Sequence, residues 1–185
     1  MRLFVAINLP PDLRAAVWSA TGALREAGLP VRWVGAAQLH VTMQFLGEVS
    51  NERSAQTVAA VEHAARESRI LELSVQGFGA FPSLRNPRVV WIGIQDAPDL
   101  TDLHGRLDRK LAEAGYDREE RRFHPHVTLG RVKRGAHGSE LRELESLAGS
   151  VALCETFTAE TVDLMRSHLG PGGARYSVLS AAPLG

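Results

Sequence analysis

The sequence predicts an α+β fold in which two pseudo-symmetric lobes, each of antiparallel strands with flanking helices, lie around a central cleft. Three observations lead there. Over roughly the first 115 residues the apolar periodicity reads strand, helix, strand, strand, helix, strand, strand, helix, a mixture without the strict βαβ alternation of a parallel sheet. The triplet His-Val-Thr stands at 40–42 and again at 126–128, the one internal echo in a chain without linker or low-complexity tract. With 185 residues and 44% hydrophobic content, the chain can bury one sizeable core, so residues 1–185 are expected to form a single domain of two intertwined lobes.

Residues 2–8 are a short apolar run closed by Pro10-Pro11, which suits a buried strand. From Asp12 to Ala27, the positions Leu13, Val17, Ala20, Leu24 and Ala27 recur at helical spacing before Gly28, predicting one amphipathic helix with a glycine stop. Extended pieces follow at Val31–Val34 and His40–Leu46, the latter ended by Gly47. Ser50 or Asn51 caps a helix over about 52–68, with Val58, Ala59, Val61 and Ala65 as its apolar side. Leu71–Phe78 and Arg88–Ile94 read as strands, joined by a loop rich in Gly77, Gly79, Pro82, Asn86 and Pro87. Pro98 and Asp99 open a helix to about Ala114, with Leu100, Leu103, Leu107 and Leu111 inward and Gly115 as its stop. A short helix to Ala148, a strand at 157–165, a Gly170–Gly173 turn and a strand at 175–180 complete the chain.

The chemistry concentrates in the repeated triplet. Residues two apart on a strand share a face, so His40 stands with Thr42, and His126 with Thr128. Val41, Met43, Phe45, Val127 and Leu129 alternate to the opposite face and are expected in the core, which ranks a core role for Phe45 above stacking on a base. If the two strands meet at a cleft, two imidazoles and two hydroxyls converge. Histidine, with an unperturbed pKa near 6.5, can supply one neutral and one protonated ring near pH 7, that is, a base and an acid. Strict alternation would bury Arg131 opposite His126, a costly place for a guanidinium; Gly130 allows a bulge or strand end that re-aims it toward the cleft. His63 and His104 read as helix-surface residues, His137 and His168 as loop residues, and His124, beside Pro125, as structural.

Composition narrows the function further. Lys and Arg total 21 against 21 Asp and Glu, so no global field attracts nucleic acid, and any such partner is met locally. The local positive charge lies at 117–134, where Arg118, Arg121 and Arg122 read as a solvated loop. The single Cys154 rules out an internal disulfide and a Cys-rich zinc site and suits a reducing compartment. The N-terminal apolar run is shorter than a secretory signal, and no apolar run approaches the ~20 residues of a membrane span. A cytoplasmic monomer without a membrane or obligate protein partner is the expectation.

The segments His40-Val-Thr-Met-Gln-Phe-Leu-Gly47 and Pro125-His-Val-Thr-Leu-Gly-Arg131 resemble the two-histidine (2H) phosphoesterase superfamily. The opening Met1–Pro10 and the central Phe81–Gly93 resemble its RNA 2′,3′-cyclic phosphodiesterase branch, also called 2′-5′ RNA ligase, and the likeness runs over essentially the whole chain. The resemblance implies hydrolysis of a terminal 2′,3′-cyclic phosphate on RNA, or of a cyclic nucleotide, to a 2′-phosphate without metal or other cofactor. It makes His40 the proton donor to the leaving 3′ oxygen and His126 the proton acceptor from water. The hydroxyls of Thr42 and Thr128, with Arg131, would bind the phosphate oxygens.

Within that chemistry, an ADP-ribose cyclic phosphate, a 2′-5′ oligonucleotide or RNA joining by the reverse reaction would use the same residues. Two other classes remain. A metallohydrolase could use His40, His124 and His126, although no Asp stands near the motifs. A non-catalytic RNA-end binding module would keep the cleft, although neither motif has lost a residue.

Overall fold

A computed structural model describes residues 1–95, 97–170 and 173–185. Its strands are β1 (Arg2–Asn8), β2 (Val31–Trp33), β3 (His40–Glu48), β4 (Leu71–Ser83), β5 (Asn86–Gln95), β6 (His126–Val132), β7 (Cys154–Ala159), β8 (Thr161–Gly170) and β9 (Gly173–Pro183). They form one sheet in the order β7-β4-β5-β6-β3-β1-β8-β9, with β2 added to β6. The pairings are antiparallel. The helices are α1 (Pro11–Ala20), α2 (Gly22–Glu26), α3 (Asn51–Arg66), α4 (Pro98–Glu113) and α5 (Arg142–Ala148). This is the α+β, two-lobed antiparallel arrangement the sequence predicts: β3-β1-β8-β9 is one half, β6-β5-β4-β7 the other, and Val41 paired with Val127 joins them.

The main core fills one face of this sheet beneath the helices. Leu100, Leu103, Leu107 and Leu111 of α4 are fully buried there with Val41, Val127, Ile92 and Leu164, each such side chain contributing roughly 1.5–3 kcal/mol by burial. A smaller cluster of Phe4, Ala6 and Met165 with Tyr176 lies on the other face. Ser50 caps α3 as expected, its hydroxyl accepting from Arg53 N; Gly28 and Gly115 take positive φ at the helix stops.

Three expectations change. The helix over 12–27 is broken at Thr21, which is buried and whose Oγ1 donates to Val17 O at 2.7 Å while accepting from Arg25 Nη1. That back-bond competes with the helical ladder, and Gly22 follows with poor helix propensity. The Gly- and Pro-rich stretch before Arg88 is no loop: β4 and β5 pair from Ser74–Gln95 to Ser83–Asn86, leaving only Leu84-Arg85 as the turn. Its glycines serve the sheet, Gly77 at a register shift with φ +78 and Gly79 beneath the Trp91 indole. The strand expected at 157–165 divides at Glu160, where the buried positions change parity from 157 and 159 to 162 and 164. β7 therefore pairs with β4 in one half and β8 with β1 in the other. Of the expected turn at 170–173, Pro171 and Gly172 lie outside the described residues; Gly170 and Gly173 pair across it.

Candidate active site

The two motifs meet back to back. Val41 of β3 pairs with Val127 of β6, and the antiparallel register sets His40 across from Thr128 and Thr42 across from His126. Both valines are fully buried on the core side, while the two histidines and two threonines are half-buried on the other. The alternation of a strand thus delivers both imidazoles to one cleft face.

Each ring is held in the same way. His40 Nδ1 lies 2.7 Å from Gln38 O, and His126 Nδ1 lies 2.7 Å from His124 O. A carbonyl oxygen only accepts, so Nδ1 carries the hydrogen in both and Nε2 is left as the exchangeable nitrogen. Thr42 Oγ1 stands 3.1 Å from His40 Nε2. Burial is the main force lowering the pKa of each imidazole from its ordinary 6.5. The backbone hydrogen bonds oppose this shift; Arg14 and His126 add to it at His40, and His124 and Arg131 add to it at His126.

Matched bulges shape what lies beyond the threonines. The β1–β3 register slips between Val5 and Ala6, leaving Met43 unpaired, and the β5–β6 register slips between Val90 and Trp91, leaving Leu129 unpaired. One extra residue reverses the alternation that follows. Arg131 therefore returns to the cleft face, exposed and close enough to His126 to influence its charge. The same device overturns the expectation for Phe45, which is 70% exposed and pairs with Phe4 on the cleft face, while Gln44 takes the buried position.

The surroundings include residues that the motifs do not mark. Phe4 and Tyr176 flank His40 at ring-centroid distances of 5.1 and 5.3 Å. Phe81 and Trp91 flank His126 at 5.0 and 6.1 Å. Gly79 makes the second wall possible, since a Cβ there would come within 2.3 Å of the Trp91 ring. A cavity of about 340 Å³ opens beside His40, with Asn8, Arg14, Gln38, Asp163 and Tyr176 in its wall. Phe4 and Asn8 were legible only as parts of a strand, and Tyr176 and Asp163 enter by long-range pairing of β8 and β9. Arg14 had no local signal at all.

The other candidates stand apart or serve structure. His124 is exposed and packs edge-on against Phe81 and Trp91. His63 pairs with Glu67 on the helix surface, and His104 stacks on Phe123 at 4.1 Å. Arg118 pairs with Asp108, and Arg121 with Glu119, in an exposed loop. Among the described residues no group of three or more His, Cys, Asp and Glu is arranged to hold a metal ion.

An antiparallel sheet that presents two such imidazoles on one face, related by a local two-fold at Val41 and Val127, is the architecture of a two-histidine phosphoesterase. The chain belongs to the 2′-5′ RNA ligase superfamily, whose family model matches residues 10–171. It is 33% identical over 177 residues to a Methanothermobacter thermautotrophicus protein named RNA 2′,3′-cyclic phosphodiesterase, covering 96% of this chain and 95% of the relative. The crystal structure of TT0787 of Thermus thermophilus matches 100% of this chain and 98% of that one, with a TM-score of 0.83 and 30% identity. That of E. coli LigT complexed with 3′-AMP matches 99% and 97%, with a TM-score of 0.77 and 28% identity.

Proposed function

We propose that the protein is an RNA 2′,3′-cyclic phosphodiesterase that opens the terminal cyclic phosphate to a 2′-phosphate by acid–base catalysis between His40 and His126. The observation that carries this reading is the pair of imidazoles on one face of paired strands, each with Nδ1 fixed on a backbone carbonyl so that Nε2 is the exchangeable nitrogen. In this reading the whole chain acts as one domain of two lobes, as a cytoplasmic monomer and without a metal. No helix among the described residues is long and apolar enough to cross a membrane.

Water attacks phosphorus in line with the bond to the 3′ oxygen. His126, neutral with a lone pair on Nε2, takes the water proton as the new P–O bond forms. His40, protonated, gives its Nε2 proton to the 3′ oxygen as the old P–O bond breaks. The product is a 2′-phosphomonoester with a free 3′-hydroxyl, and the histidines return to their starting states by proton exchange with solvent. Each positioned transfer accounts for ~10²–10⁴ in rate. The hydroxyls of Thr42 and Thr128, with the Arg131 guanidinium, donate to the non-bridging oxygens where charge accumulates. The anionic phosphate also favours the protonated ring of His40, offsetting the burial that lowers its pKa.

The test is incubation of an RNA ending in a 2′,3′-cyclic phosphate with the purified protein and excess EDTA, resolving 2′- from 3′-phosphate products by chromatography. EDTA-resistant formation of the 2′-phosphate is expected. Formation of the 3′-phosphate contradicts the assigned leaving oxygen, turnover only on adding zinc contradicts the metal-free mechanism, and binding without turnover contradicts the enzyme reading.

A further inference from the structure

The two halves of the cleft agree in register but differ in what they carry. Beside His40 the paired position is Asn8, and beside Thr42 it is Ala6; beside His126 it is Gly93, and beside Thr128 it is Trp91. The His126 side is thus filled by an indole, whereas on the His40 side a cavity of about 340 Å³ opens between Asn8, Gln38, Asp163 and Tyr176. Across from Ala6, β8 contributes Asp163, only 5% exposed. Asn8 Nδ2 donates to Asp163 Oδ2 at 2.7 Å and approaches Met165 Sδ at 3.4 Å. Asp163 Oδ1 has no partner.

A buried carboxylate oxygen without a donor is costly, by roughly 1–3 kcal/mol or more, and a ligand that supplies the donor removes that cost. Resting on the reading above, the nucleoside lies on the side of its leaving 3′ oxygen, which is the His40 side. In an RNA end with a 2′,3′-cyclic phosphate the terminal ribose has no hydroxyl left, since O2′ and O3′ are in the ring and O5′ continues the chain. The donor must come from the base. We propose that the cavity beside His40 is a base-selecting subsite in which Asp163, oriented by Asn8, accepts hydrogen bonds from base N–H groups, with guanine preferred. Guanine alone among the four RNA bases places two neighbouring donors, N1–H and the N2 amine, on one edge to meet the two oxygens of one carboxylate.

The test compares kcat/KM for dinucleotides with a 5′ uridine and a terminal guanosine, inosine, adenosine, cytidine or uridine 2′,3′-cyclic phosphate, in the wild type and in Asp163→Asn. The wild type is expected to favour guanosine over uridine by about 10- to 100-fold and to discriminate against inosine, which lacks the N2 amine. Asp163→Asn is expected to reduce the preference to within about threefold. Equal kcat/KM across the bases in the wild type, or an unchanged preference in the variant, overturns the proposal. Calorimetric binding of guanosine and inosine 3′-monophosphates to the wild type reads the cavity without turnover or a variant. Preferential binding of the guanosine compound supports the subsite even if no cyclic phosphate is cleaved, which would fault only the assigned reaction; equal binding overturns the subsite.

Discussion

His40 and His126 make the same hydrogen bond, each Nδ1 meeting at 2.7 Å the carbonyl oxygen of the residue two positions earlier. The two rings are fixed alike but differ in their neighbours: Thr42 and Arg14 stand near one, Arg131 and the Phe81–Trp91 wall near the other.

Replacing either histidine with alanine should lower kcat for a 2′,3′-cyclic phosphate by about 10²–10⁴. Both rings are on the cleft face rather than in the main core, so cooperative thermal unfolding should persist. Steady-state kinetics paired with a melting curve checks this, and near-normal turnover in both variants would exclude the mechanism.

The pH dependence follows from the directions of the two shifts. Both imidazoles are lowered from 6.5, and the proposed mechanism requires one proton on the pair in the free enzyme, so the bell of kcat/KM should centre below pH 6.5. Arg131 is among the groups holding His126 down. Removing that cation in Arg131→Gln should raise the His126 pKa and move the centre of the bell to higher pH, besides weakening phosphate binding. A pH–rate series on both proteins measures it; a bell whose centre stays or moves down refutes the assignment.

Phe45 separates the bulged register from simple alternation. A core phenylalanine cut to alanine costs about 3–5 kcal/mol, whereas a side chain that is 70% exposed should cost under about 1 kcal/mol. Urea unfolding of Phe45→Ala distinguishes the two.

Gly79→Ala should disturb the His126 wall. The added methyl would lie 2.3 Å from the Trp91 ring, so the indole must swing away, with a stability loss of about 1–3 kcal/mol. Denaturant unfolding and Trp fluorescence report the two effects, and an unchanged emission spectrum with unchanged stability would show that the ring does not lie over Gly79.

These residues also show how far the chain could be read. The strand alternation in His-Val-Thr placed His40, Thr42, His126 and Thr128 on a common face, and the leucine spacing of α4 located its buried stripe, because both are local periodicities. Phe45 escaped since Met43 is a bulge residue, and nothing in a run of apolar side chains marks which one leaves the ladder. Gly79 read as a loop glycine because the ring that requires it, Trp91, is supplied by the partner strand. Tyr176 and Asp163 reach the cleft by pairing β8 with β1 and β9 with β8, contacts that no local pattern encodes.

The most direct test of the central claim, that His40 is the acid at the 3′ oxygen and His126 the base, uses a cyclic substrate with sulfur in place of the bridging 3′ oxygen. A thiolate leaves without a proton. His40→Ala should therefore be severely slowed on the oxygen substrate and largely restored on the sulfur one, while His126→Ala stays defective on both. Restoration of His126→Ala instead would reverse the two roles, and equal losses on both substrates for both variants would contradict acid catalysis by His40.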